Sequence, residues 1–346
     1  MVGQPQSIMI KSRSIVFLMP DGPKRRMLWN EEAHALASEF RFNVHLPTGE
    51  LSPRDLAGAD AVVTSWGSPR LDVAFLREAP ELRILGHAAG SVRPVVSDAL
   101  YERGIRVSSA NGEMARCVAQ WSLMATLVSL RRITDFGNFG DHRRLHWEPS
   151  VEPLSPHRTA VGLWGYGAIS RELIRMLRAL GTGRILVCSE YLEGGAERDD
   201  GLEIVDLPTL FAESQITHIL TSQTPERIGR VDAQLLGRMP DGATLVNAGR
   251  AHLVQEKAMM DELRSGRLHA CLDVYHDEPL PADHPLRNLS NVLLTPHNAG
   301  NGSQDLYVPL MLQEIQRCFA GEPLHYEILA KQAASMTVEY KNIDDS

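Results

Sequence analysis

Apolar and polar positions along this chain alternate between a strand-like and a helix-like spacing. Short apolar runs, SIVFLM (14–19), AVVTSW (61–66), RILGHAA (83–89) and RVSSA (106–110), punctuate the first hundred residues. Between them lie EEAHALASEF, LDVAFLREAP and VVSDALYERG, the last closing on a glycine that suits a helix stop. The pattern predicts a small α/β unit. EMARCVAQWSLMATLVSLRRI (113–133) reads as one long helix, too polar at its start for a membrane span and suited to a buried or bridging position. The segment that follows, rich in Gly, Pro, His and charge, reads as an arm or connection.

From 160 to 298 the alternation sharpens. AVGLWG leads through a turn into ISRELIRMLRALG, where Ile169, Leu173, Met176, Leu177 and Leu180 share one helix face. RILVCS, ITHILTS, ATLVNAG, LHACLDVY and NVLLTPH follow as strands, separated by the helix-like LPTLFAES, VDAQLLGRM and QEKAMMDELRSG. That spacing predicts a parallel sheet covered by helices on both faces. A last helix at 304–321 precedes a polar tail, and 346 residues are more than one core usually serves, so two domains are expected.

A net charge of −8 gives nucleic acid and anionic lipid nothing to be drawn to. Cys117, Cys188, Cys271 and Cys318 are scattered without zinc-ligand spacing and read as free thiols of a reducing compartment. No apolar stretch approaches a membrane span and the first residues lack a signal-like core, so a soluble cytoplasmic protein is expected. With no HExxH or paired-histidine spacing, no metal is expected.

The chemistry concentrates in NAGRAHLV (247–254), LDVYHDEP (272–279) and LLTPHNAG (293–300), each beginning where an apolar run stops. In an open parallel sheet, ligands bind beyond the carboxyl ends of the strands. Arg250, Asp273, Glu278 and His297 are therefore placed to act on one carbonyl acid. Negative charge that builds on the oxygen of a reacting carbonyl must be answered by a cation and a proton donor. A carboxylate beside an imidazole stabilises its protonated, donating form, and an arginine fork pairs with a carboxylate in two hydrogen bonds.

Gly165-Tyr166-Gly167-Ala168-Ile169-Ser170 lies between a strand and a helix, the setting of a dinucleotide-binding turn. Its third small position is Ser170 in place of Gly or Ala. The next strand ends in Ser189 and Glu190, a carboxylate placed to accept ribose hydroxyls and repel a 2′-phosphate, and the next basic residue is Arg198. NAD is therefore favoured over NADP.

These motifs, in order from about residue 55 to 325, resemble those of the D-isomer-specific 2-hydroxyacid dehydrogenases, which include phosphoglycerate, D-lactate and glyoxylate/hydroxypyruvate enzymes. The resemblance implies two Rossmann-like lobes: a doubly wound, parallel-sheet NAD-binding domain (113–298) inserted in a smaller flavodoxin-like substrate domain (1–112 and 299–346). The helix at 113–133 would bridge them, 134–159 would form an arm, and the chain would pair as a homodimer. By resemblance Arg250 orients the substrate carboxylate and polarises the carbonyl, His297 is the acid/base, and Glu278 is its partner. Ala89 and Gly90 match the loop whose backbone N–H groups hold the substrate carboxylate, Asp273 matches the residue that holds the nicotinamide carboxamide, and Ser91 and Arg93 are candidate substrate contacts beside that loop. Ser222, Ala248 and Gly249, with Arg250 and His297, complete the implied cofactor contacts.

Several positions depart from the family pattern: Arg93-Pro94 after the substrate loop, Arg250-Ala251, Gln120, Leu220-Thr221-Ser222 and Asn298. Arg93 hints at a substrate with an anionic tail. Two other functions share the architecture. A cofactor-sensing binding protein, like the C-terminal-binding-protein corepressors, would show little turnover; a formate-type enzyme carries Gln where Glu278 stands.

Overall fold

Runs of β-branched and aliphatic residues become strands, and every strand pairing among the described residues is parallel. The computed structural model describes residues 12–136, 152–193 and 201–337; most of the expected arm, and Arg198, lie outside them. The chain divides into two compact units, Met1–Asn111 with Ser303–Ala334, and Gly112–Gly302 with Ser335–Ser346.

The first unit holds β1 (Arg13–Leu18), β2 (Phe42–His45), β3 (Ala61–Thr64), β4 (Ile84–His87) and β5 (Arg106–Ser109) in the order β2-β1-β3-β4-β5. The second holds β6 (Ala160–Trp164), β7 (Arg184–Cys188), β8 (Glu203–Ile204), β9 (Ile216–Ile219), β10 (Thr244–Asn247), β11 (His269–Leu272) and β12 (Val292–Leu294). Their order is β12-β11-β10-β9-β6-β7-β8, so the winding reverses between β9 and β6. Such a reversal opens a crevice at the strands' carboxyl ends.

Two points differ from the expected division. Residues 299–302 and, among the described residues of the tail, 335–337 go with the second unit. Ala299 N–H donates to Asp273, and the Ser335 carbonyl accepts from Ser222 Oγ at 2.8 Å, which ties both pieces to that sheet. The short edge strands β2 and β8 carry no sustained apolar alternation and were not anticipated.

Within the second unit, alternate residues of one strand enter opposite cores. Ala160, Trp164 and Leu186 pack with Leu210, Phe211 and Leu235; Val161, Leu163, Ile185 and Val187 pack with Val118, Ala125, Leu173 and Leu177. Burial on both faces explains why these strands read as unbroken apolar runs. The helix Asn111–Leu130 supplies part of the second core.

That helix also meets a buried histidine. Thr126 Oγ1 donates to the Ser122 carbonyl at 3.0 Å, so its 3.0 Å contact with His218 Nε2 is donated by the ring, leaving Nδ1 unpartnered in the core. Burial pushes His218 from its ordinary 6.5 down to about 3, and His87 in the first unit down to about 4. A depressed folded-state pKa gives stability that is full above about 6.5 and is lost as pH falls towards the folded value. Unfolding free energy should therefore fall below pH 6.5 by as much as about 1.4 kcal/mol per pH unit for each such group. In denaturant titrations from pH 7 to 4.5, His218→Leu should flatten that slope; an unaltered slope would show that His218 is not the group responsible.

Candidate active site

The crevice begins at Gly165, where β6 ends. Its φ of 115° lies in the left-handed region, and a Cβ there would stand 2.8 Å from the Leu220 carbonyl oxygen. Only glycine lets the chain pass so close over the end of β9. Gly167 caps the helix Ala168–Leu180 without a side-chain hydrogen bond, and nothing lies within 4 Å of where its Cβ would be. An uncapped helix N-terminus beside open space fits a pyrophosphate, whose charge the Ala168 and Ile169 amides would meet. Tyr166 and Ile169 are half-buried beside the turn. Ser170 is buried with its hydroxyl unpartnered, so its small size, not its polarity, suits the helix–strand contact.

At the end of β10 the side chain of Asn247 shapes the loop. Its Oδ1 accepts from Gly249 N–H at 3.0 Å and its Nδ2 donates to the Arg250 carbonyl at 3.1 Å. Ala248 is buried, and a Cβ on Gly249 would approach the Ile219 carbonyl oxygen to 2.9 Å. Arg250 emerges in extended conformation and donates from Nη1 to the Gly249 carbonyl at 2.8 Å. Asn247 was not singled out from the sequence, because an Asn at a strand end has no distinctive spacing.

The ends of β11 and β12 are tied by Asp273. Its carboxylate is buried; Oδ1 accepts from Thr295 Oγ1 at 2.6 Å and Asn298 N–H at 2.9 Å, and Oδ2 accepts from Ala299 N–H at 2.8 Å. Trp121 Nε1, on the long helix, donates in turn to Thr295 Oγ1 at 3.1 Å. The clamped turn contains His297, whose φ of 50° is left-handed. A non-glycine residue pays about 1–3 kcal/mol for such a conformation and keeps it only where its surroundings impose it.

His297 Nδ1 lies 2.6 Å from Glu278 Oε2, while Glu278 Oε1 accepts from Tyr275 N–H at 3.0 Å. Each carboxylate oxygen thus has its own partner, and the orientation is fixed from both sides. His297 and Glu278 are 45% and 36% exposed, open enough to meet a ligand. Tyr275 is anchored by its hydroxyl, 2.7 Å from the Thr295 carbonyl, and burial pushes it up to about 12, so it stays a neutral donor. Behind the loop, His276 donates to the Val254 carbonyl at 3.0 Å and lies 3.7 Å from Glu256, which His284 also meets at 3.2 Å. His276, given no role from the sequence, pins the segment that carries Glu278.

In the first unit, β4 leads into Ala89 and Gly90, which are buried, and half-buried Ser91. The Ser109 hydroxyl lies 3.0 Å and 2.7 Å from the Ala89 and Gly90 carbonyls, fixing that loop. Arg93 donates to the Ala334 carbonyl at 2.5 Å. One N–H of its guanidinium is thus engaged by the chain itself. In the second unit, Ser189 is buried and Glu190 exposed just past β7, and Ser222 follows β9. Arg227, which the sequence reading did not single out, lies 3.2 Å from Glu190. No group of three or more metal-ligating side chains occurs among the described residues.

Residues 123–299 match the NAD-binding domain of the D-isomer-specific 2-hydroxyacid dehydrogenases. Glyoxylate/hydroxypyruvate reductase B of Yersinia enterocolitica is 30% identical over 247 residues, 70% of this chain and 74% of that protein. Among solved structures, a D-isomer-specific 2-hydroxyacid dehydrogenase of Xanthobacter autotrophicus in complex with NADPH and MES aligns with TM-score 0.72 and 25% identity, over 93% of this chain and 99% of that one. D-lactate dehydrogenase of Lactobacillus jensenii with NAD+ shares the fold at TM-score 0.72 and 20% identity, over 92% and 99%. With a glycine turn fit for a dinucleotide and a histidine–carboxylate pair past the strand ends, the chain belongs to the D-isomer-specific 2-hydroxyacid dehydrogenase family and is an NAD-dependent oxidoreductase.

Proposed function

We propose that the protein interconverts a 2-oxo acid and the corresponding D-2-hydroxy acid, with His297 as acid/base, Glu278 as its partner and Arg250 as the substrate anchor. The observation that carries this reading is the 2.6 Å contact between His297 Nδ1 and Glu278 Oε2 on a turn clamped by Asp273. NADH, when bound, supplies the hydride. The residues supply the rest. With Nδ1 committed to Glu278, Nε2 is the ring atom left to hold a proton for the carbonyl oxygen, whose charge grows as the carbon is reduced. In the oxidative direction the same nitrogen takes the hydroxyl proton. Arg250 pairs its planar fork with the substrate carboxylate and lends charge to the carbonyl. The backbone N–H groups of Ala89, Gly90 and Ser91 belong to this reading as further carboxylate donors.

Gly165, Tyr166, Gly167, Ala168 and Ile169 would hold the pyrophosphate, and Ser189 and Glu190 the adenosine ribose. Ser222, Ala248 and Gly249 would border the rest of the dinucleotide. Asp273 retains one acceptor position on Oδ2 beyond the Ala299 bond, which suits a carboxamide N–H. Glyoxylate and hydroxypyruvate are the first substrates to try, since the Yersinia relative bears their names. A homodimer and a cytoplasmic location accompany this reading; Met124 and Leu127 expose apolar side chains on the long helix, and no helix among the described residues is long and apolar enough to cross a membrane.

NADH oxidation should be followed against glyoxylate, hydroxypyruvate, pyruvate, phenylpyruvate and 2-oxoglutarate. Turnover of at least one is expected, and His297→Asn should lower kcat by about 10³-fold while leaving NADH affinity within about threefold. Tight NADH binding with silence across the panel would favour the cofactor-sensing role instead. Glu278→Gln should cost about 10²-fold in kcat, whereas Arg250→Lys, which keeps the charge but loses the fork, should act mainly by raising KM about tenfold or more. A wild-type kcat in Glu278→Gln would remove the carboxylate from the mechanism.

A further inference from the structure

The three strand ends around the glycine turn are linked in a closed ring of contacts. Gly165 N–H donates to the Cys188 carbonyl at 2.9 Å, at the end of β7, and the same glycine sits against Leu220 at the end of β9. Two residues beyond Cys188 stands Glu190, and two residues beyond Leu220 stands Ser222. Arg227 closes the ring. Its Nη2 lies 3.2 Å from Glu190 Oε2, and its Nη1 donates to Ser222 Oγ at 3.1 Å and to the Ser222 carbonyl at 3.4 Å. Ser222 Oγ spends its own proton on the Ser335 carbonyl, so towards Arg227 it is an acceptor.

The partners differ in mobility. The Arg227 side chain is 17% exposed and tied at its serine end, whereas the Glu190 side chain is 77% exposed. The guanidinium is thus the fixed member of the pair and the carboxylate the guided one. An exposed ion pair contributes little to stability, so this one is better judged by what it presents to a ligand. It presents a carboxylate whose position is set and a cation whose charge is already matched.

We infer that Arg227 sets the cofactor's adenosine preference: it holds Glu190 in place as the acceptor for the ribose hydroxyls, and it becomes the receptor for a 2′-phosphate once Glu190 is removed. The inference rests on the reading that the Gly165 turn holds the dinucleotide. Arginine pairs with phosphate through two parallel hydrogen bonds, and a carboxylate in the same place competes for that fork and repels the anion. Arg227 therefore has two opposite effects. With Glu190 present it supports the dinucleotide without a phosphate; with Glu190 neutralised it supports the one that has it.

Fluorescence titration of the full-length protein with NADH and with NADPH, without any substrate, tests this apart from the catalytic assignments. Glu190→Gln should tighten NADPH binding by about tenfold or more, whereas the double variant Glu190→Gln/Arg227→Gln should lie within about threefold of wild type for NADPH. Placing Arg227→Lys in the Glu190→Gln background should recover part of the gain, since charge is kept while the fork is lost. Arg227→Gln alone should bind NADPH still more weakly than wild type, with the bare carboxylate left at the site. A double variant that binds NADPH as tightly as Glu190→Gln would overturn the role of Arg227 and leave the cofactor site standing. Failure of the wild-type protein to bind either dinucleotide would overturn the site itself, and the inference with it.

Discussion

The buried carboxylate of Asp273 is the contact on which the rest of the site depends. Three donors converge on it, two of them backbone amides of the turn that follows β12 and one the hydroxyl of Thr295. A buried carboxylate is costly unless its oxygens are satisfied, and here the groups that satisfy it are those that must be held for His297 to point out of the sheet. The left-handed backbone at His297 would relax without that imposition. Once the turn is set, Nδ1 meets Glu278, which leaves Nε2 for the acid/base role proposed for the ring.

The clamp is also where the sheet and the long helix meet in the second unit. Trp121 reaches Thr295 from the helix, and Tyr275 reaches the Thr295 carbonyl from the loop after β11. Glu278 is held in turn by the Tyr275 amide and by a segment that His276 pins to the Val254 carbonyl. Core packing, helix placement and the geometry of the His297–Glu278 pair are thus joined through a handful of hydrogen bonds. A substitution well behind the histidine can therefore alter the rate without touching the ligand.

Much of this was legible in the sequence because parallel strands buried on both faces show as apolar runs, and polar residues just past them mark the ligand side. The ends of β10, β11 and β12 could be read in that way, and with them Arg250, Glu278 and His297. The edge strands Phe42–His45 and Glu203–Ile204 could not, being too short to set a period. The supporting contacts stayed hidden for a different reason. Trp121 to Thr295 across 174 residues and Arg227 to Glu190 across 37 depend on where the fold brings side chains, not on spacing. Arg93 likewise meets the Ala334 carbonyl across 241 residues, a contact that no spacing announces.

The most direct test of this account is the single-turnover rate of NADH oxidation by Asp273→Asn at saturating NADH and 2-oxo acid, compared with wild type. An amide in that position would set its N–H₂ against donors that now meet a carboxylate, loosening the His297 turn. The account predicts a rate about 10²-fold lower that saturation with cofactor does not restore. A wild-type rate at saturation, with only NADH affinity reduced, would contradict it and leave Asp273 as a cofactor contact alone.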